Sequence, residues 1–152
     1  MLISNYEIVE KLAEAPHAAV FKAYHKSKPE RLLVLKILKA GSLSESRKLQ
    51  LRQKIEHLRV LSDPLVITPA SFSDDNGVCF LTQDYFDGIT LDKLMEARRT
   101  VPLNEFFTIA VGLARALGKV HEAGIIHGGV KPHNILVDTD TLAIRLIPSS
   151  FS

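Results

Sequence analysis

Apolar and polar residues in the first part of the chain follow the short period of β-strands, with apolar runs separated by turn residues. This pattern predicts three strands, at residues 6–12, 19–25 and 32–38. The third strand is an apolar run that one lysine, Lys36, interrupts. Gly41 ends the pattern, and Ser42 with Glu45 three residues later has the spacing of a capping box. A helix is therefore predicted from this point to residues 62–64.

The middle of the chain changes from a helical period back to strands. Apolar residues recur on one face of the predicted helix, at Leu51, Ile55, Leu58 and Leu61. Two further strands are predicted at residues 66–72 and 78–85, joined by the turn-rich segment 73–77.

In the second half of the chain most apolar residues recur at helical spacing. A short helix is predicted at residues 91–98 and a long one at 103–122, and Gly124 suits the C-terminal cap of the long helix. Two short strands follow, at residues 135–137 and 144–147. The order of strands, one helix, strands, connector, helices and loop predicts an α+β fold with two lobes.

Composition narrows the functional classes. The chain has 152 residues, enough for one domain with a real core, and 46% hydrophobic with 24% charged residues is typical of a globular protein. A net charge of +2 is too small to indicate nucleic acid or a membrane surface as a partner. The single cysteine, Cys79, excludes an internal disulfide and lies in an apolar run, which favours a core residue over a nucleophile. No signal peptide or membrane-length apolar run is present, so a cytoplasmic location is expected.

The segment with the most chemical information is residues 127–136, H-G-G-V-K-P-H-N-I-L. It resembles the catalytic loop of the protein kinases, H-R-D-L-x-x-x-N, with His127, Lys131 and Asn134 at the family's spacing. Gly128 and Gly129 occupy the Arg and Asp positions. In the family that Asp accepts the proton of the substrate hydroxyl. Since glycine can accept nothing, the resemblance predicts a fold without a catalytic residue, a pseudokinase.

The resemblance extends over the whole chain. It implies a protein kinase-like fold in which residues 1–86 form an antiparallel N-lobe with one helix, and residues 87–152 form part of the C-lobe. The chain stops where a kinase begins its activation segment, which predicts a fragment or a truncated product of a longer signalling protein. Residues 91–134 are also similar to the amino-terminal kinase-like modules of bacterial hybrid sensor kinases.

The segment that aligns with the glycine-rich phosphate loop of kinases is residues 13–20, A-E-A-P-H-A-A-V. Alanine replaces all three glycines, and Pro16 removes a backbone donor and stiffens the tip. We interpret the segment as a hairpin without a role in ligand binding. Val20 aligns with a residue that packs on adenine in the family, although a valine in a strand is a core residue by default.

Lys36 fits the strand-three lysine of kinases, which pairs with a glutamate from the following helix. In this chain the glutamate position falls on Lys54, which is predicted to point inward beside Leu51 and Leu58. Two ammonium groups about 4 Å apart would repel by about 4 kcal/mol at an effective dielectric near 20. The helix is therefore predicted to be rotated or swung out, unless Lys36 pairs with another acid.

The remaining nucleotide contacts are implied by the resemblance alone. The connector at residues 83–88 resembles the kinase hinge, with Gln83 as gatekeeper and the backbone of Asp84 and Phe86 facing an adenine. The full set implied for nucleotide binding is Lys36, Val20, Val34, Asp84, Phe86, Lys131, Asn134 and Leu136. For Lys131 and Asn134 a structural role in the loop is the alternative, with Lys131 answering a nearby acid, and His127 is predicted to be a packed structural residue of the loop.

No magnesium site is expected. The segment aligned with the D-F-G motif reads Pro148-Ser149-Ser150, which offers no carboxylate for the metal. Asp138 and Asp140 fall in the turn between the last two predicted strands, away from that position. ATP, if it binds, is therefore expected to bind without magnesium.

Three functions remain open at this point. The first is a non-catalytic regulatory or scaffolding module that binds a protein partner or other domains of the same polypeptide. The second is a divergent serine/threonine-type kinase that uses Lys36, Lys131 and Asn134, and the third is a weak ATP sensor. If the rest of the helical lobe is missing, apolar surface is left uncovered, which predicts a homodimer.

Overall fold

The computed structural model describes residues 2–39, 41, 43–61 and 63–148. They form two compact units, one made of residues 1–59 and 69–85 and the other of residues 60–68 and 86–152. The predicted division, 1–86 and 87–152, placed residues 60–68 in the first lobe. In the structure this short segment groups with the second unit.

The first unit is built on an antiparallel sheet of six strands in the order β1-β2-β3-β4-β6-β5. The strands are β1 Leu2–Ile3, β2 Tyr6–Ala15, β3 Ala18–His25, β4 Lys28–Leu38, β5 Pro69–Asp75 and β6 Val78–Asp84. The first three predicted strands are confirmed at β2, β3 and β4, and each is extended by its hairpin.

Alternation along β4 separates two faces of this sheet. Leu35 is fully buried and forms a core with Ala23 and Phe80, against which Leu33 and Ile37 pack. The other face of β4 carries Val34, Lys36 and Leu38, which are half-buried. The single lysine in the apolar run therefore lies on the face opposite this core.

Helix α1 spans Glu45–Leu58. Its N-cap is Ser44, whose Oγ accepts a hydrogen bond from the Arg47 N–H at 3.3 Å. The predicted cap at Ser42 is therefore wrong in position. Ser42 itself lies outside the described residues. The helix also ends earlier than predicted. Asp63 Oδ1 accepts a hydrogen bond from the Leu65 N–H at 2.9 Å, and this bond forms a turn after the end of the helix.

The inward face of α1 differs from the predicted one at a decisive position. Ile55 and Leu58 are buried, but Lys54 is exposed, so the prediction that Lys54 points inward is wrong. The predicted repulsion of Lys36 thereby loses its basis. Lys48 lies on the inner face instead, and its Nζ is 2.8 Å from Asp74 Oδ2 on β5. The Arg52 guanidinium lies 5.3 Å from the Phe72 ring centroid, also on β5. These two contacts attach α1 to the edge strand of the sheet.

The Lys48–Asp74 pair predicts a pH dependence of stability. Hydrogen bonding to Lys48 holds the pKa of Asp74 below its ordinary value. A carboxyl whose pKa is lower in the folded state stabilises the fold above its unfolded pKa of about 3.9, and this contribution disappears as the pH falls through the folded pKa. The variant Asp74→Asn is therefore expected to be less stable than the native chain at neutral pH, with the difference shrinking below about pH 4.

Urea unfolding of both proteins across this pH range measures the effect. Glu56→Gln is the matched control, because Glu56 pairs with Arg59 at 3.2 Å with both side chains well exposed, and such pairs contribute little. A constant difference between native and Asp74→Asn protein over the whole range would contradict the prediction.

The second unit combines two helices with a sheet of three short strands in the order β7-β8-β9. Its elements are β7 Ile89–Thr90, α2 Leu91–Arg98, α3 Leu103–Glu122, β8 Ile135–Val137 and β9 Ile144–Leu146. Both helices begin and end where the apolar spacing predicted. Gly124 follows α3 with φ +73°, the left-handed conformation expected of a C-terminal cap.

The segment before β5 pairs with β9 rather than extending β5. Leu146 N–H donates to Leu65 O and Leu146 O accepts from Ile67 N–H, both at 2.9 Å. The predicted strand 66–72 is therefore wrong at its start, since β5 begins only at Pro69. The apolar residues Val66 and Ile67 are buried in the second unit. Among the described residues, no helix has both the length and the apolar character that crossing a membrane requires.

Candidate functional site

Two hydrogen bonds of the His127 ring fix the loop that follows α3. Its Nδ1 accepts from the Gly129 N–H at 3.2 Å, so the ring proton lies on Nε2, which donates to Ile147 O at 2.7 Å. The ring is buried, at 9% exposure. These contacts support the predicted structural role of His127, which joins the loop to the segment after β9.

Asn134 ends the loop in a 3₁₀ turn that spans Pro132–Asn134. Its side chain is fully buried, and Nδ2 donates to Gly129 O at 2.7 Å. Its backbone O accepts from the Ile147 N–H at 2.8 Å. The side-chain Oδ1 is buried without a hydrogen-bond partner among the described residues. An orphaned buried acceptor is costly, so Asn134 has an oxygen that is available to a bound group.

Gly129 is held on both sides by these two residues. Its N–H is bonded to His127 and its carbonyl to Asn134. Gly128, in contrast, has φ +72°, which a side chain would strain. The backbone at the position of the family's Asp is therefore fixed without the help of any side chain at residue 129.

The other loop residue of interest, Lys131, is exposed, and its carbonyl accepts from the Asn134 N–H at 2.9 Å. Within the described ranges its ammonium group forms no ion pair. The acid that Lys131 was expected to answer is thus absent from that part of the chain.

Leu136 lies between two cross-strand neighbours, Thr90 on β7 and Arg145 on β9, and is half-buried. The Arg145 guanidinium lies 4.7 Å from the centroid of the Phe86 ring. Leu136 and Phe86, two residues that the resemblance assigned to nucleotide binding, are thus connected through Arg145, which the sequence analysis did not single out.

In the first unit, Lys36 is flanked by Val20 on β3 and Leu81 on β6, while Val34 is flanked by Lys22 and Gln83. Residues directly opposite each other in an antiparallel pair share a face. Val20, Val34 and Lys36 therefore lie together on one face of the sheet. Burial lowers the pKa of Lys36 from its ordinary value, because desolvation disfavours the charged ammonium.

The hairpin between β2 and β3 is tight, with Ala15 directly opposite Ala18 and only two residues in the turn. The predicted hairpin is confirmed, and its lack of a ligand role stays a prediction. Glu14 in this hairpin accepts hydrogen bonds from Lys11 and Lys39, which hold its pKa below its ordinary value.

The structure shows the surroundings of two further residues, Asp84 and Cys79. The Asp84 side chain is exposed and accepts from Arg31 Nη2 at 2.6 Å, which leaves only its backbone for the role that the resemblance implies. Cys79 is buried, and burial raises the pKa of its thiol, in agreement with a core residue.

The residues present do not fit a magnesium ion. Magnesium is normally held by carboxylates together with phosphate oxygens, and Asn134 Oδ1 offers a single neutral ligand. No cluster of His, Cys, Asp or Glu suited to a metal occurs in the described part of the chain. Asp138 caps its own turn, as its Oδ1 accepts from the N–H groups of Asp140 and Thr141. Of the segment aligned with D-F-G, Ser149 and Ser150 lie outside the described residues.

Residues 6–148 match the sequence model of the family described as protein kinase domain. The chain belongs to the protein kinase family. The family and the α+β kinase-like fold that the loop predicted are thereby confirmed. The narrower similarity to modules of hybrid sensor kinases stays a prediction.

Relatives occur in animals and bacteria. The serine/threonine-protein kinase ULK3 of Xenopus laevis is 30% identical over 135 residues, which cover 89% of this chain and 29% of the relative. A Clostridium perfringens protein described as a "Probable serine/threonine-protein kinase" is 30% identical over 139 residues, covering 90% of this chain and 20% of the relative. This chain thus spans less than a third of the length of either protein.

Solved structures show the same fold. The kinase domain of PknI from Mycobacterium tuberculosis superposes with a TM-score of 0.79 at 21% identity, covering all of this chain and 62% of that structure. A second structure of this kinase domain gives the same TM-score at 23% identity. At this level of identity the likeness concerns the fold alone.

Proposed function

We propose that this kinase-family chain is a non-catalytic regulatory or scaffolding module. The observation that carries the proposal is Gly129, which occupies the position of the catalytic Asp in a loop whose backbone is otherwise held in place by His127 and Asn134. A protein of this kind acts through contacts with a protein partner or with other domains of its own polypeptide.

The chemistry of phosphoryl transfer supports this choice. The family's Asp orients the substrate hydroxyl and accepts its proton, and general-base contributions of this kind amount to about 10²–10⁴-fold in rate. No described carboxylate is clustered with others to hold a metal. A chain that lacks both the catalytic Asp and a carboxylate cluster for the metal can still bind a nucleotide, but any phosphoryl transfer would be very slow.

A second candidate, a divergent kinase or a weak ATP sensor, is favoured by two observations and by the names of the relatives. Lys36 lies on the same sheet face as Val20 and Val34, which suits contact with a nucleotide. Asn134 keeps a buried side-chain oxygen that has no hydrogen-bond partner among the described residues. This candidate would use Lys36, Lys131 and Asn134, which the resemblance to kinases implies for nucleotide binding.

A thermal-shift titration with ATP, with and without magnesium, separates these functions when it is combined with a radiolabelled phosphotransfer assay on a generic protein substrate. We expect no phosphotransfer and no magnesium-dependent shift. A shift that is independent of magnesium and absent from Lys36→Met would favour the sensor, with Lys28→Met, at the exposed start of β4, as control. Transfer of label that Asn134→Ala abolishes would contradict the proposal and establish the divergent kinase.

The proposal also includes a protein partner, a homodimer and a cytoplasmic setting. Sedimentation of the purified chain over a concentration series tests the homodimer directly.

A further inference from the structure

A pocket with a volume of about 140 Å³ opens on the first unit, at the end of the sheet where β3 turns into β4. Its apolar lining includes Tyr6, Leu33 and Ala70. Tyr6 and Leu33 also pack against the buried core of this unit, so the pocket lies on the sheet face opposite Lys36. An apolar cavity of about 150 Å³ holds one benzene ring, so this pocket has room for a single six-membered ring.

The buried hydroxyl group in the pocket wall is already hydrogen-bonded. Thr82 is 4% exposed, and its Oγ1 lies 2.6 Å from Oγ of Ser71. The ring of Tyr6 meets the ring of His25 edge-on, with the two centroids 5.0 Å apart. Aromatic rings favour such contacts with one another. The inner part of the pocket therefore suits an apolar, aromatic group.

The charged residues around the pocket leave one cation unbalanced. Arg31 Nη2 lies 2.6 Å from Asp84 Oδ1, so these two charges offset each other. Lys28 also lines the pocket and forms no ion pair within the described part of the chain. With a neutral His25, the lining has one more positive charge than negative, which a ligand with a single negative charge would balance.

His25 provides a directed donor beside that cation. It lies directly opposite Lys28 across the β3–β4 hairpin, and residues in such a pair share a face. The Ser27 N–H donates to His25 Nδ1 at 3.2 Å, so the ring proton lies on Nε2. Nε2 has no hydrogen-bond partner among the described residues. An ammonium group and a ring N–H at the mouth of an apolar pocket are suited to a carboxylate.

We propose that this pocket binds a small aromatic monocarboxylate, with its single ring seated between Tyr6 and Leu33 and its carboxylate bound by Lys28 Nζ and the Nε2–H of His25. Hydrogen bonds to an ionised carboxylate are shorter and stronger than neutral ones. A second copy of this chain is a poorer occupant, because a two-fold contact centred on the pocket would bring Lys28 against its own copy.

Titration of the ¹⁵N-labelled chain with benzoate, phenylacetate and 4-hydroxybenzoate tests the proposal by NMR. The titration extends to about 10 mM, since ligands this small bind weakly. We expect saturable shifts of the backbone amide signals of Leu33 and Thr82 with at least one of the three acids. Benzamide keeps the ring without the charge, and acetate keeps the charge without the ring. Both are expected to bind about tenfold more weakly or worse.

Two variants change the two halves of the pocket separately. Lys28→Met removes the cation, and Ala70→Leu fills the apolar part from an exposed position on the edge strand β5, so both chains are expected to fold. Each should weaken binding of the aromatic acids by about tenfold or more. The matched controls are Lys26→Met, exposed on the same turn but outside the lining, and Ala97→Leu, exposed on α2. Both controls should bind like the native chain.

Three results would overturn the proposal: no saturable shift with any of the three acids, equal binding of acetate and the aromatic acids, or full binding in both pocket variants. Lys28→Met retains Lys36 on the opposite sheet face, so this variant should lose the aromatic acid while any response to ATP stays unchanged. The proposed function therefore stands or falls separately.

Discussion

Replacing Gly88 with alanine is expected to lower the free energy of unfolding by about 3 kcal/mol, because the added methyl group has no space. A Cβ at this position would lie 2.6 Å from Val137 O and 2.8 Å from Cε1 of Phe86. Phe86 could rotate away, but the carbonyl of Val137 belongs to β8, which pairs with β7 directly after Gly88. The strand pairing has to shift, or the connector has to move away from it.

Gly118→Ala is the matched control for this variant. Gly118 lies inside α3, and a Cβ added there meets no atom within 4 Å. Alanine in an open helix position is expected to stabilise by about 0.5–1 kcal/mol, so the two substitutions should move stability in opposite directions. Urea unfolding followed by circular dichroism measures both. Equal effects in the two variants would mean that the close approach at Gly88 is wrong.

The elements that the sequence predicted best are those whose signals are local. Helices α2 and α3 occur at residues 91–98 and 103–122 as predicted, because their apolar spacing is uninterrupted and Gly124 marks the end of α3. The segment before β5 shows the opposite case. Val66 and Ile67 look like part of a strand, but their partner is Leu146, far along the chain, and no local pattern identifies such a pairing.

The orientation of α1 was predicted wrongly for a related reason. The alignment of Lys54 with the family's glutamate position placed its side chain inward, yet Ile55 and Leu58 define the buried face. Extending that face by helical spacing gives Lys48, so the inward position of Lys48 could have been predicted from the sequence. Its partner Asp74 lies on β5, and this pairing could not have been predicted. The resemblance to other kinases placed the helix without fixing its rotation.

The candidate site was predicted in its residues but not in its hydrogen bonds. The motif located His127, Gly129 and Asn134, and the structure shows how they are joined: both side chains bond the backbone of Gly129. The loop geometry therefore needs nothing from the side chain of residue 129. This independence explains physically how glycine can replace the acid while the loop keeps its form.

Asn134→Asp is expected to be the most destabilising single-atom change in the loop, with a loss of about 3–5 kcal/mol at neutral pH. The Nδ2 group now donates to Gly129 O, and a carboxylate would place an acceptor against that carbonyl in a fully buried position. Burial without a positive partner raises the pKa of the introduced carboxyl. A carboxyl raised in the folded state costs nothing below its unfolded pKa of about 3.9, and its cost grows as the pH rises above that value.

The loss should therefore shrink as the pH is lowered towards about 4, where the neutral carboxyl can donate to Gly129 O. Unfolding in urea at several pH values, or recovery of the circular dichroism signal on acidification, measures this. Asn104→Asp, exposed in the first turn of α3, is the control and should change stability by less than about 0.5 kcal/mol. A loss in Asn134→Asp that stays constant with pH would show that the Gly129 carbonyl is not the group that Asn134 satisfies.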